Sequence, residues 1–460
     1  MDKWSLGKYR DKIVDGPIIR TLLWLGVPPL ISQLAFVAYN VADSYWLSLY
    51  SEIAVAIPRQ IWPVMMLFNA FLRALTAACL SIVSQYIGSK AYKEASLSAS
   101  RFFTLSFLIG STLCITLLLL RKPIFALLIS TPPEILEDVV NFSSIISFDI
   151  FLSYISFIFA TLLQSVGDTK RPAIINSIAV SLNILLDPFF ILGLGPFPKL
   201  GVVGAALTDV IGKMISIGAL AYILRKNYPE FKIFFTRDLS LDWIALVFRI
   251  GSPIVMLGVA NGFAFVFQQW IINQFGVEVA TAYSIGFVIV NIVDSVLWGL
   301  GGAVSIMVGQ NMGAGKEERA RESAYKSALL IAALIAVGVL LVYPFRVKLA
   351  DIFADNPKIL AETDFFLQIL LPTLPFFGLF ILGISTGRGS GHTTFPTAIG
   401  IIRLWVIRVG LGYVLAFNLG IGSSGAWLAM SLGNLVGGTA SLLWIKYGNW
   451  TKKVVKQNSL

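Results

Sequence analysis

The chain has 460 residues, of which 57% are hydrophobic without counting glycine and 13% are charged, with a formal net charge of +10. Soluble domains run at about 45–50% apolar with glycine included and about 25% charged, which excludes a water-soluble, disordered or disulfide-stapled class. The two cysteines, Cys79 and Cys114, lie inside apolar runs, and the single histidine, His392, leaves no material for a His-rich metal site.

A transmembrane helix needs roughly 20 mostly apolar residues. Such runs lie at 17–46, 54–87, 97–120, 138–163, 172–195, 201–224, 243–273, 280–308, 324–344, 359–386, 395–417 and 423–446. They are too long and too uniformly apolar for barrel strands, so the fold class read here is all-α integral membrane with about twelve spans. The N-terminus does not read as a signal peptide. Asp2, Lys3, Lys8, Arg10, Asp11, Lys12 and Asp15 precede an apolar run that is too long, with no small-residue cleavage pattern. Twenty-three Lys and Arg fall in loops on the side of the N-terminus, from Lys3 to Lys456 and including Arg388. The opposite side holds six: Arg121, Lys122, Lys199, Arg346, Lys348 and Lys358. That bias places both termini in the cytoplasm, as an even number of spans requires. The surplus of +10 therefore reports topology in a cell membrane, and nucleic acid is not an expected partner.

The chain repeats itself. Gly26 and Pro28 recur as Gly251 and Pro253, and Gln85 and Gly88 recur as Gln310 and Gly313, both at an offset of 225; the turn Gly167–Pro172 recurs as Gly391–Pro396 at 224. Residues 1–225 and 243–460 thus read as two parallel six-helix lobes joined by a cytoplasmic linker, 226–242. Parallel repeats of this kind enclose a substrate cavity between the halves and rock around it. In the linker, Phe231, Ile233, Phe234 and Phe235 amid charges suggest a surface-lying segment.

Ionisable groups inside a membrane are costly and functional by default. Tyr39 and Asp43 are four residues apart in the first span, as are Asn183 and Asp187 in the fifth, so each pair lies on one helix face. Two carboxylates with an amide and a phenol can cage a cation; they can equally take up a proton, since burial and a like-charged neighbour disfavour the ionised form. The alternative is that each Asp pairs with a buried cation such as Arg73 or Lys213. Thr208 and Asp209 in the sixth span are further candidates, with Asp209 open to pairing with Lys213. Asp149 in the fourth is placed near enough to the outer side to be solvated. In the second half, Gln268 and Leu411 stand where Asp43 and Asp187 would recur. Its polar residues (Asn261, Gln268, Gln269, Asn273, Asn291, Asp294, Arg403 and Arg408) are candidates to line a cavity; the simpler account is interhelical hydrogen bonding, with Asp294 paired to Arg403 or Arg408.

These residues together resemble the multidrug and toxic compound extrusion (MATE) family over nearly the whole chain. Gly26-Val-Pro28 followed by Tyr39-Asn-Val-Ala-Asp43 resembles its first span. Gly167–Pro172 is similar to its loop between spans four and five, Ser181-Leu-Asn183-Ile-Leu-Leu-Asp187-Pro188 to its fifth span, and Gly309-Gln-Asn-Met-Gly313-Ala-Gly-Lys316 to its loop after span eight. The resemblance implies antiport, inward H⁺ or Na⁺ driving outward passage of amphipathic, often cationic, organic compounds. It implies no enzymatic activity and no cofactor beyond the coupling ion, and a monomer is expected. It places the coupling site in the N-terminal lobe at Asp43, Asn183 and Asp187, the position for Na⁺ if Na⁺ is the ion. Tyr39, Thr208 and Asp209 stand beside it, and Pro28 is the residue where the first helix bends. Arg73 is unexpected in a membrane centre and is a candidate tethered counter-ion. Ala160 and Gln164 depart from the family's Asn and Arg before the Gly-Asp turn. The competing reading is a flippase of the same superfamily that moves lipid-linked oligosaccharides or other lipids, which would use Arg73, Arg388, Arg403 and Arg408 around a central cavity to hold a pyrophosphate head group.

Overall fold

The computed structural model describes residues 5–51, 54, 56–352 and 356–455; Asp2, Lys3 and Lys456, counted above, lie outside the described residues. Among the described residues, twelve helices are long and apolar enough to cross a membrane: α1 Ile18–Tyr50, α2 Ala56–Gly88, α3 Tyr92–Leu128, α4 Pro133–Val166, α5 Lys170–Leu192, α6 Val202–Asn227, α7 Leu241–Asn273, α8 Val277–Gly313, α9 Glu317–Asp351, α10 Pro357–Ser390, α11 Thr394–Asn418 and α12 Ser423–Tyr447. Each coincides with one apolar run of the sequence, and most extend beyond it at one or both ends. The polar turns that continue the helices into the headgroup region carry no hydropathy signal. Large apolar side chains such as Leu119, Leu127, Leu128, Leu340 and Leu341 stand exposed on the outer surface. In water a patch of that extent would drive association; in a bilayer it meets a solvent of its own kind.

The two halves are wired alike. In the first, α1 packs on α5, α4 lies against α2, α3 and α6, and α5 packs on α6; in the second, α7 packs on α11, α10 lies against α8, α9 and α12, and α11 packs on α12. Adding six to each label of the first set gives the second. α2 and α4 form the centre of one apolar core, α8 and α10 that of the other. The fold is therefore two six-helix lobes, and the contacts between them obey the same symmetry: α1 on α8, α7 on α2, and α2 on α8.

The cytoplasmic linker of the sequence reading has no helix between 228 and 240. It is strapped along α3, where Ser96 and Ser100 donate to the carbonyls of Glu230 and Lys232 at 2.5 Å each, and Phe231 is buried while Phe234 and Phe235 face outward.

At the end of the molecule that carries the termini, the lobes are clasped. Gln85 donates to the Ser390 carbonyl at 3.0 Å, and Gln310 donates to the Ser165 carbonyl at 2.8 Å. Each glutamine and each carbonyl is the repeat partner of the other, so one contact is made twice. A methyl group on Gly88 would sit 2.1 Å from the Gln310 carbonyl oxygen, and one on Gly313 2.0 Å from that of Gln85. Only glycine permits α2 and α8 to cross this closely. The N-terminal segment covers the seam: Asp15 pairs with Lys316, and Arg10 donates to the Gly88 carbonyl at 2.8 Å.

Candidate functional site

Three helices of the N-terminal lobe bring their polar residues to one place. Tyr39 of α1 donates its phenol to Asp209 Oδ1 of α6 at 2.7 Å, and the Asn183 amide of α5 donates to the same oxygen at 2.9 Å. Thr208 donates to Asp187 Oδ1 at 2.6 Å and stands 2.7 Å from the Ala205 carbonyl. Asp43, one turn beyond Tyr39 on the same face of α1, lies within electrostatic reach of Asp187, and Asp187 of Asp209. The sequence-derived set Tyr39, Asp43, Asn183, Asp187, Thr208 and Asp209 is thus one cluster.

Its acids are held without a direct ion pair. Among the described residues no Lys or Arg forms an ion pair with Asp43, Asp187 or Asp209. Asp43 Oδ1, Asp187 Oδ2 and Asn183 Oδ1 are all buried acceptors without a donor. Buried polar groups are nearly always hydrogen-bonded, so three orphan acceptor oxygens within one polar cluster are unusual. No group of three or more His, Cys, Asp or Glu among the described residues makes a ready metal cage. Gly212 gives Asn183 its room, because a methyl group there would stand 2.4 Å from Asn183 Oδ1. Gly212→Val is expected to push the amide off Asp209 and to lower coupled transport at least tenfold while leaving the folded yield unchanged, as read by transport against size-exclusion profile.

Several expectations are corrected here. Asp149 is not solvated: it is 3% exposed and paired with Lys213. α4 packs against neighbours on several sides, and hydropathy cannot separate a lipid-facing from a core-facing position, since lipid tails are as apolar as leucine. Lys213 is therefore taken by Asp149, and Asp209 is held by Tyr39 and Asn183 instead. Removing one partner of a buried pair costs about 3–5 kcal/mol; Lys213 keeps about a third of its side chain exposed, which puts the cost at the low end. Asp149→Ala is expected to lower the melting temperature in detergent, and adding Lys213→Met to recover part of the loss.

Arg73, expected as a counter-ion to the acids, is the second correction. It lines a separate cavity of about 370 Å³ bounded by α2 of the first lobe and α7, α8, α10, α11 and α12 of the second. Its guanidinium lies 5.2 Å from the centre of the Trp298 ring, which it shares with Arg388 at 5.7 Å. Arg388, counted above with the loops, thus belongs to this cavity. Arg403 and Arg408 of α11 line it too, 7% and 8% exposed. Arg403 donates to Asn434 at 3.0 Å and lies 4.5 Å from the Phe380 ring centre. Arg408 donates to Tyr283 at 3.3 Å and lies 4.8 Å from that of Phe265. Asp294 is the one acid in the lining, and it accepts from Trp298 at 3.1 Å without an ion pair to any arginine among the described residues. The expected Asp294–Arg403 or Asp294–Arg408 pairing is not made. Asn261 and Asn291 line the cavity as well. Gln269, by contrast, donates to Asn273 within α7 at 2.7 Å, and Gln268 is buried.

Local helix geometry explains why Arg403 and Arg408 converge. Ile402–Leu411 and Val414–Asn418 are wound as π-helix, whose i→i+5 hydrogen bonding brings residues five apart to the same side. In an α-helix they would diverge by about 140°.

Twelve spans in two equivalent lobes, an acid cluster inside one lobe and an arginine-lined cavity beside it define a membrane transporter. The sequence profile of the MatE family matches the chain twice, over residues 28–189 and 253–414, an offset of 225 that coincides with the internal repeat. The chain belongs to the MatE family. A probable multidrug resistance protein of Bacillus subtilis, YoeA, is 26% identical over 379 residues, 82% of each chain. A protein of Shewanella oneidensis described as a FAD transporter is 24% identical over 441 residues, 94% of this chain and 95% of its own. The crystal structure of MATE in the straight conformation superimposes with a TM-score of 0.87 at 22% identity, covering 95% of this chain and 97% of that one.

Proposed function

We propose that the chain is an exporter of small amphipathic organic compounds, driven by inward H⁺ or Na⁺, that lies in the cell membrane with both termini in the cytoplasm and works as a monomer. Its lobes, 1–225 and 243–460, rock about the linker 226–242, and α1 bends at Pro28, which lies within an unbroken helix in this state. The closed end is then the cytoplasmic one. Multidrug resistance, for which the Bacillus relative is named, fits this reading. The carrying observation is the acid cluster: three carboxylates on three helices, without a paired cation and with orphan oxygens, form a device that exchanges charge.

Of the two ions, the proton has the stronger geometric support. The Thr208 hydroxyl has one hydrogen and two acceptors, Asp187 Oδ1 and the Ala205 carbonyl. A proton on Asp187 lets Thr208 turn its own to Ala205 and satisfies both contacts. The Na⁺ alternative uses the free oxygens of Asp43, Asn183 and Asp187. The second reading, a flippase for pyrophosphate-linked lipids, is favoured by the four cavity arginines.

The test is efflux from proteoliposomes of a planar fluorescent cation, ethidium, and a planar fluorescent anion, flavin mononucleotide, under an imposed pH or Na⁺ gradient. At least tenfold acceleration by a pH gradient is expected for whichever probe is carried. Acceleration by Na⁺ alone would reassign the ion, and indifference to both gradients would sink the coupling.

A further inference from the structure

The cavity and the acid cluster have opposite electrostatic characters, and an exporter of cations would gain nothing from that division. Four arginines against one aspartate line the cavity, drawn from α2, α10 and α11. Their fixed partners do not fully discharge them. Asn434 and Tyr283 are neutral, Trp298 offers only a ring face to Arg73 and Arg388, and the one carboxylate, Asp294, lies within electrostatic reach of Arg73 and Arg403 and can offset one of the four positive charges. The Nε atoms of Arg388, Arg403 and Arg408 are buried and have no acceptor, and two of these side chains are more than nine-tenths buried. Guanidinium forks match the paired oxygens of phosphate and carboxylate. The rest of the lining is apolar and aromatic, with Phe265, Phe287, Phe377, Phe380 and Trp298 on its walls. Such rings receive a flat apolar body by stacking.

We propose that the central cavity is built for an organic anion, a planar aromatic molecule bearing a phosphate group, with Arg403 and Arg408 as its principal oxyanion ligands and Arg73 and Arg388 completing the positive wall. This rests on the export reading above and specifies its substrate class: ring against the aromatic walls, phosphate against the π-wound face of α11. It replaces the expectation of cationic cargo. A cavity of about 370 Å³ is at the small end of ligand pockets, about 300–1,000 Å³, and suits a mononucleotide-sized molecule better than a lipid-linked oligosaccharide.

The experiment is equilibrium binding to the full chain in nanodiscs with three probes of similar ring size: flavin mononucleotide, its uncharged parent riboflavin, and ethidium. Flavin mononucleotide is expected to bind at least tenfold more tightly than riboflavin and more tightly than ethidium. Added salt should weaken the anion selectively. In Arg403→Gln/Arg408→Gln its affinity should fall at least tenfold while riboflavin binding, the control for an intact cavity, stays within twofold. Arg403→Lys/Arg408→Lys should recover part of the loss. Tighter binding of ethidium than of flavin mononucleotide, or unchanged anion affinity in the Gln variant, would overturn the proposal. Binding of farnesyl pyrophosphate in place of flavin mononucleotide would assign the oxyanion to a lipid and overturn the aromatic part. Because binding needs no gradient, Asp187→Asn should leave it intact. Intact anion binding with transport insensitive to Asp187→Asn would sink the coupling reading and leave this one standing.

Discussion

Asp187→Asn is expected to lower gradient-driven transport at least tenfold without unfolding the protein, and Asp43→Asn to do the same. The amide keeps the size of the carboxyl and can still accept from Thr208, which holds Asp187 Oδ1 at 2.6 Å. It cannot bind and release a proton, so the cluster is fixed in one charge state and no longer feels the gradient. The two positions act on one unit, since Asp187 is the charged neighbour of Asp43, and effects inside a unit are not additive. The double variant should therefore be no more than about twofold worse than the poorer single, where independent sites would multiply. Initial efflux rates from proteoliposomes, with and without a collapsing ionophore, measure this directly. Rates in either single variant that still respond fully to the gradient would remove the cluster from the coupling role. Arg403→Gln/Arg408→Gln supplies the contrast, because it should weaken loading of an anion without changing how the remaining transport responds to the gradient.

How far these features were legible in the sequence depends on the range of the interaction. The spans were legible because twenty apolar residues in a row have few other destinations. The repeat was legible because Gln85/Gly88 and Gln310/Gly313 recur for a backbone reason, the close crossing of α2 and α8. The acid cluster was legible from i,i+4 spacing, which placed Tyr39 with Asp43 and Asn183 with Asp187. Pairing across helices was not. Nothing local says that Lys213 reaches α4 in place of Asp209 on its own helix, or that Arg73 faces Trp298 across the lobe boundary. A cavity shared by Arg73, Arg388, Arg403 and Arg408 was legible in the competing flippase reading; the π winding that turns Arg403 and Arg408 to one side of α11 was not, because no local sequence pattern reports it. The two sites also differ in what the membrane charges for them. A buried Arg at a helix centre costs about 2.5–3.5 kcal/mol on insertion, so four around one cavity is a large standing penalty. An anionic occupant offsets it.

The clasp between α2 and α8 should decide which way the transporter faces. Gly88→Ala/Gly313→Ala places two methyl groups where the carbonyls of Gln310 and Gln85 now lie 2.1 and 2.0 Å away. Backbone cannot step aside as a side-chain tip can, and overpacking of this kind costs about 1–3 kcal/mol per site. Because both methyls act only on the state in which the helices cross, the penalty falls on the closed end and not on the lobes themselves. A shift of about 1.4 kcal/mol is tenfold in population, so the pair should move the equilibrium by at least tenfold toward opening at the end that carries the termini. Ser84, fully buried at this crossing beside Gly309, is the reporter. Ser84→Cys, in a background with Cys79 and Cys114 replaced by serine, should be labelled by a membrane-impermeant maleimide at least tenfold faster in inside-out vesicles when the two alanines are present. Gln85→Ala/Gln310→Ala removes the two mirrored hydrogen bonds without adding bulk, and at about 1 kcal/mol each it should act in the same direction. Unchanged labelling in both variants would show that the clasp does not hold this end shut. Faster labelling together with weaker binding of the cavity ligand would tie closure at one end to loading at the other, as alternating access requires.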